Sequence, residues 1–304
     1  MIIELRLMEN VLTLIAPADS LDDNTLVRIR SALKDLGADT LAHTWLAKGR
    51  AADIPFEMMS CDQADAAARH ILGQSAAVDL VAQPADHRRK KLLVADMDST
   101  MVVGETLDDL ADFAGLKDHI AAITARAMNG ELDFKDALRE RVGLLKGLSA
   151  SALEETFDRL EYMPGATKLV KTMKAFGAHA VLVSGGFKFF TSRVAAHCGF
   201  DRDLANELEI TEGKLTGKVI DPILDRATKL QTLLNCAAEK QLPLSQTLAV
   251  GDGANDLDMI KAAGLGVAYH AKPVVAADAR CRIDHNDLTA LLFAQGYSAE
   301  QIIG

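Results

Sequence analysis

Cysteine is scarce and scattered. Cys61, Cys198, Cys236 and Cys281 are the only four in 304 residues, and no two form a C-x-x-C pair. That spacing excludes a disulfide framework or a zinc site and fits a reducing cytosol. Basic charge is also short, with 33 Lys and Arg against 43 Asp and Glu and a net charge of -10. A phosphate-backbone binder needs a basic surface, so nucleic acid is not an expected partner. A small anionic substrate stays open, because local positive charge can outweigh the total. No window approaches the ~20 apolar residues of a membrane span. The first residues carry Glu4 and Arg6 and lack the apolar core of a secretory leader. The expectation is a soluble cytoplasmic protein with no membrane partner. What is present is apolar residues, 49% of the chain, enough for a real core.

The only compact basic run, His87-Arg88-Arg89-Lys90-Lys91, reads as a solvated linker beside a strand. The polar, proline-containing stretch from Gln83 to Lys90 separates two apolar-rich regions. We therefore expect one domain over 1–83, a linker over 84–91 and a second domain over 92–304. In the first, strands are expected at 10–16, 40–47, 54–59 and 78–82, and helices at 22–36 and 63–73. The first helix carries Leu26, Ile29, Leu33 and Leu36 at helical spacing. The order β-α-β-β-α-β suggests a ferredoxin-like α+β sandwich. In the second domain, Leu92 to Ala95, Ala180 to Val183 and Leu248 to Val250 are short all-apolar runs. Runs apolar on both faces suit parallel strands covered by helices on each side. The expected fold is α/β, a doubly wound parallel sheet with a helical cap inserted at about 105–160.

Each of these strands ends in polar residues: Asp96-Met97-Asp98-Ser99-Thr100, Ser184-Gly185-Gly186, and Gly251-Asp252-Gly253-Ala254-Asn255-Asp256. Open parallel sheets bind ligands beyond the carboxyl ends of their strands. The sheet would thus gather several carboxylates, a hydroxyl and glycines at one place. Clustered carboxylates repel unless a cation sits among them, and oxygen-only ligands suit a hard ion such as Mg2+ beside a phosphate. Asp96, at the strand end, is placed to attack phosphorus. Asp98 points the same way if the chain stays extended, and could protonate the leaving oxygen and then activate water. Lys229 is the candidate for a further cation on the phosphate. Gly185-Gly186 reads as a tight turn that also lets backbone N–H groups approach an oxyanion.

These segments, with Ser184 and Lys229, resemble in order and spacing the four motifs of the haloacid dehalogenase superfamily. The resemblance implies a doubly wound core, a mobile cap and a phosphoaspartyl intermediate. It implies Asp96 as nucleophile and Asp98 as general acid and base. It implies Mg2+ on the carboxylates of Asp96 and Asp252 and the main-chain carbonyl of Asp98, with Asp256 supporting the metal. Ser184 and Lys229 would hold the phosphate. Lys218 and Lys240 lie in the wider region, at the wrong distance from Asp252.

The cap would choose the ester. Residues 134–145 read as a helix with Phe134, Leu138, Arg141 and Leu145 on one face, while Arg139 points elsewhere. Arg141 on that stripe either snorkels to the helix edge or offers a guanidinium fork to a carboxylate. Thr106-Leu107-Asp108-Asp109 reads as a capping box, placing Glu105 just outside a helix. There Glu105 either favours the helix dipole or binds an ammonium. The pair would match the two charges of an amino acid.

Val103-Gly104-Glu105-Thr106, Met128-Asn129-Gly130, Phe134 to Gly147, Ser184-Gly185-Gly186-Phe187 and Ala205-Asn206-Glu207-Leu208 resemble the phosphoserine phosphatase family, over nearly all of 90–285. The resemblance implies phosphoserine as the small-molecule substrate, hydrolysed to serine and phosphate as the last step of serine biosynthesis. It implies Glu105 on the substrate amine, Arg141 on its carboxylate, Met128 and Phe134 lining the pocket, Gly185 contacting the substrate through its backbone, and Asn255 beside the phosphate. Alternatives are transfer of the phosphate to another alcohol such as homoserine, or an inert amino-acid sensor. The N-terminal region resembles ACT regulatory domains and, holding no candidate catalytic residue, is expected to be dispensable for chemistry. Its turn Ala16 to Asp22 lacks the glycine of amino-acid-binding members, so homodimerisation or simple stabilisation ranks ahead of serine sensing.

Overall fold

The computed structural model describes residues 8–73, 75–128 and 131–304, with the side chains of Ala125, Ala127 and Met128 outside that description. The expectation about the first residues thus falls, up to Leu7, outside the described residues.

The first sheet is built from β1 (Asn10–Ile15), α1 (Asp23–Asp35), β2 (Asp39–Thr40), β3 (Thr44–Ala47), β4 (Ala51–Glu57), α2 (Cys61–Leu72) and β5 (Asp79–Pro84). Local chemistry starts both helices. Asp22 accepts the Thr25 N–H at 2.7 Å, and Ser60 with Gln63 forms a capping box. Leu26, Ile29 and Leu33 put the buried stripe of α1 against the sheet. Strand order is β2-β4-β1-β5, with β3 also on β4, and β1 antiparallel to both neighbours. This is the interleaved order expected of a β-α-β-β-α-β sandwich. The strand expected over 40–47 is two short pieces. The gap between them faces Ile54 and Pro55, and Pro55 has no N–H to give to a ladder.

The chain continues through β6 (Leu92–Ala95) into four helices, α3 (Thr106–Asp112), α4 (Lys117–Met128), α5 (Phe134–Leu144) and α6 (Ser151–Asp158). It returns through α7 (Ala166–Ala175), β7 (His179–Phe187), α8 (Lys188–Cys198), β8 (Arg202–Thr211), β9 (Lys214–Ile220), α9 (Arg226–Glu239) and β10 (Thr247–Gly251). It ends with α10 (Leu257–Ala262), β11 (Leu265–Tyr269), α11 (Pro273–Asp278), β12 (Cys281–Ile283) and α12 (Ala290–Ala294). The sheet order is β12-β11-β10-β6-β7-β8-β9, parallel except for β9. Starting in the middle and winding both ways creates a switch point beside β6, where a crevice opens beyond the strand ends. The helical insertion leaves and rejoins the core beside the bridge of Val102 with Tyr162, and a second bridge ties Ser149 to Lys214 on β9.

The basic run beyond β5 is not simply solvated. Arg88 forks onto Asp53 at 2.6 and 2.7 Å and also donates to Thr13 Oγ1 and the carbonyls of Phe293 and Ala294. Lys90 is buried and donates to the carbonyls of His87 and Ser245, and burial pushes its pKa down to about 8. Fixed acceptors at this depth hold the cations that composition alone assigns to water. Asp79 accepts from the backbone N–H groups of Asp284, His285 and Asn286 and from the Asn286 side chain. Ile15, Leu46, Ala51 and Val81 share one apolar cluster with Leu291 to Ala294, so the two sheets pack through a common core.

Candidate active site

Asp96 follows β6 and is buried, its N–H donating to Val250 O at 3.0 Å. The chain then leaves the strand: the N–H groups of Thr100, Met101 and Val102 all turn back to Met97 O, and Ser99 is left-handed at φ 55°. Asp98 is therefore not aimed by continued extension. It is aimed by Thr106, whose N–H and Oγ1 donate to Oδ1 at 2.9 and 2.8 Å, while Ser184 Oγ donates to Oδ2 at 3.0 Å. Because Thr106 is spent on Asp98, no capping box opens α3, and Glu105 itself stands at the N-cap with no side-chain cap bond.

Ser184-Gly185-Gly186 is not a turn either. β7 runs on through Phe187, with a register shift between Val183 and Phe187. At Gly186 a Cβ would lie 2.9 Å from Asp98 Oδ2 and crowd it, and at Gly185 a Cβ would lie 3.2 Å from Phe134 Cζ, so that ring would have to give by a few tenths of an ångström. Asn206, wholly enclosed, holds the Gly185 carbonyl at 2.8 Å and the Leu224 N–H at 2.7 Å.

Asp96, Asp252 and Asp256 converge, with one carboxylate oxygen from each lying within 4.8 Å of the others. Lys229, on α9 and 3% exposed, reaches Asp96 Oδ1 at 2.7 Å and Asp256 Oδ1 at 2.6 Å. Asp256 also accepts the Gly253 N–H at 3.0 Å. Lys218 and Lys240 are exposed. Burial disfavours the Lys229 charge, but Asp256 and Asp96 outweigh it and raise its pKa. One ammonium does not satisfy three acids. Burial and then Asp256 push Asp96 up and Asp252 to about 6. A buried, oxygen-only set with excess negative charge fits a small divalent cation. The Asp98 side chain stands outside this set, committed to Thr106 and Ser184.

The insertion faces the same crevice. Phe134 opens α5 over Gly185, after Asp133 caps the helix by accepting from Lys135 and Asp136. On α5, Leu138 is buried, Arg141 donates through Nη1 to Thr124 Oγ1 at 3.1 Å, and Arg139 turns out to Asp221. Burial lowers the Arg141 pKa, against the opposing charges of Asp108 and then Glu105. Glu105 Oε1 accepts from Ser99 Oγ at 3.0 Å. Burial, then Asp98 and Asp252, raise its pKa to about 7. Asn255 is half-buried beside Gly253. Met128 ends α4, and its side chain lies outside the described residues.

A family profile for haloacid dehalogenase-like hydrolases matches residues 93–261. The chain belongs to the haloacid dehalogenase-like hydrolases. Among curated relatives of this hydrolase, a phosphoserine phosphatase of Saccharomyces cerevisiae is 36% identical, over 96% of this chain and 97% of the yeast protein. A phosphoserine phosphatase of Streptomyces coelicolor is 44% identical over 74% of this chain. The chain spans 55% of that relative's length, and 53% of a phosphoserine phosphatase of Mycobacterium tuberculosis. A solved phospho-aspartyl intermediate analogue of phosphoserine phosphatase superposes with a TM-score of 0.63 at 39% identity, covering 67% of this chain and 98% of that one.

The hydrolase site holds residues that sequence reasoning missed. Thr106 orients Asp98, Ser99 orients Glu105, Thr124 and Asp108 face Arg141, and Lys272 lies 3.8 Å from Asp252. Thr106 and Ser99 sit in motifs already singled out, so their signal was at hand. Thr124 at i−17 from Arg141 and Lys272, twenty positions after Asp252, have no local pattern to betray them.

Proposed function

We propose that this chain is a Mg2+-dependent phosphatase that hydrolyses O-phosphoserine through a phosphoaspartyl intermediate, the step that yields free serine in serine biosynthesis. The observation that carries the chemistry is the buried Asp96 beside Lys229, with Asp98 held at the same crevice by two separate donors. What supports the substrate is Arg141, on the helix that Phe134 opens over Gly185 and steadied by Thr124, and Glu105, at the start of α3 and held by Ser99, each part-buried and of opposite charge. Relatives bearing the name phosphoserine phosphatase support the same reading.

In this reading an Asp96 carboxylate oxygen attacks phosphorus, and the bond from phosphorus to the serine oxygen breaks. Asp98 gives that oxygen a proton. That proton would pass from Oδ2, which accepts only the Ser184 hydroxyl, rather than from Oδ1, which accepts both an N–H and an O–H from Thr106. Asp98 then takes a proton from water, the water oxygen attacks the Asp96-bound phosphorus, and the aspartyl bond breaks to release phosphate. Asp96, Asp252 and the main-chain carbonyl of Asp98 would hold Mg2+, with Asp256 in support. Bound there, the ion would neutralise phosphoryl oxygens and relieve the carboxylate repulsion.

Lys229 and Ser184 stand next to the nucleophile and the acid, where they can share phosphoryl oxygens, and Asn255 borders the same space. Arg141 offers its fork to the substrate carboxylate, Glu105 takes the ammonium, and Phe134 closes over Gly185. The test is phosphate release from a panel of small phosphomonoesters with and without Mg2+. Phosphoserine should be turned over best and only with the ion. Equal turnover of esters without an amino-acid head would overturn the substrate assignment.

A further inference from the structure

Each of the three clustered carboxylates has a lysine in reach, but the two lysines differ. Lys229 is 3% exposed and bridges Asp96 and Asp256 at 2.7 and 2.6 Å. Lys272 is 42% exposed and stands 3.8 Å from Asp252 Oδ2. It is anchored through its backbone, whose N–H donates to the Asp252 carbonyl at 3.2 Å, just before Pro273 opens α11. The anchor fixes where the side chain starts. The ammonium itself, at the end of a flexible stem and open to solvent, is free to leave.

Charge accounting separates the roles. Three carboxylates and the buried Lys229 ammonium leave a formal charge of −2, which one divalent cation neutralises. Lys229 cannot withdraw without stranding buried Asp256. Lys272 can withdraw at less cost, because its ammonium is already half in water and its contact with the buried Asp252 is long, at 3.8 Å, and the arriving cation takes its place. We propose that Lys272 is an exchangeable counter-ion, its ammonium covering Asp252 while no divalent cation is bound and giving that carboxylate up when the cation arrives. This rests on Asp96 and Asp252 being the cation's ligands. Lys272 then competes with the ion and sets a ceiling on its affinity without being part of the chemistry.

The test is calorimetric titration of Mg2+ into the metal-stripped full chain, without substrate. Wild type is compared with Lys272→Met, Lys272→Gln, Lys272→Arg and Asp252→Asn, at low salt and at high salt. The two neutral variants should bind Mg2+ roughly threefold to tenfold more tightly than wild type at low salt. The arginine variant should stay near wild type, and the difference should shrink as salt screens the pair. Unchanged or weaker Mg2+ binding in both neutral variants overturns the counter-ion role and leaves the active-site reading standing. Wild-type Mg2+ binding that is absent, or indifferent to Asp252→Asn, overturns both together.

Discussion

Lys229 Nζ lies 2.6 Å from Asp256 Oδ1, with the lysine 3% exposed and the aspartate wholly buried, and the same ammonium reaches Asp96. A buried ion pair loses more when one partner is removed than it ever contributes intact, because the survivor keeps its desolvation cost. Lys229→Met should therefore destabilise the metal-free protein by about 3–5 kcal/mol. Lys218→Met and Lys240→Met, both exposed, should stay within about 0.5 kcal/mol. Urea midpoints decide it, and equal shifts for all three would remove Lys229 from its special place.

Stability of the metal-free protein should fall as pH rises through the range of two acids. Burial leads in raising Asp252 to about 6 and Glu105 to about 7, above ordinary values of 3.8 and 4.5. Between those limits the folded chain binds more protons than the unfolded chain, so the stability present in acid is lost with rising pH. Mg2+ opposes the repulsion at Asp252, so its stabilising effect should grow over the same window. Thermal midpoints from about pH 5 to about pH 8, with and without Mg2+, test this. A constant Mg2+ effect across that range would contradict it.

Arg141→Ala should harm phosphoserine far more than p-nitrophenyl phosphate. Losing a charge-assisted pair to a carboxylate in a closed site costs on the order of 2–5 kcal/mol. Thr124→Val, which removes only the hydroxyl that steadies the guanidinium, should give a smaller loss in the same direction. Comparing kcat/KM for the two esters reads this directly. Equal losses on both would make Arg141 a scaffold residue or a phosphate ligand.

Much of this was legible in the residues. Asp96, Asp252 and Asp256 stand at strand ends, and all-apolar runs such as Leu92 to Ala95 mark those strands wherever the sheet is covered on both faces. The stripes of α1 and α5 were equally plain. What failed were places where a distant partner overrides a local pattern. Thr106 reads as a cap but serves Asp98, eight residues earlier. Gly185-Gly186 reads as a turn but lies in a strand, where Asp98 fills the space a side chain on Gly186 would take. Arg88 and Lys90 read as solvated because their acceptors, at Asp53, Phe293, Ala294 and Ser245, are far away in the chain.

That junction bears on the expected dispensability of the N-terminal region. Every candidate catalytic residue lies at Asp96 or beyond, yet Asp79 holds three backbone N–H groups of the segment 284–286. Asp79→Ala would leave those donors unpaired and should cost about 2–4 kcal/mol. A chain beginning near His87 would also uncover Leu291 to Ala294 and should be less stable still. Denaturation of both against wild type tests the junction, and undiminished stability in the shortened chain would restore a free-standing catalytic domain.

The most direct test of the account is a rapid acid quench of the Mg2+-loaded protein during turnover of phosphoserine radiolabelled on phosphorus, followed by peptide mapping of the label. The account predicts a transient, hydroxylamine-labile label on Asp96 that disappears in Asp96→Asn along with turnover. A label on another residue, or undiminished turnover in Asp96→Asn, would contradict it.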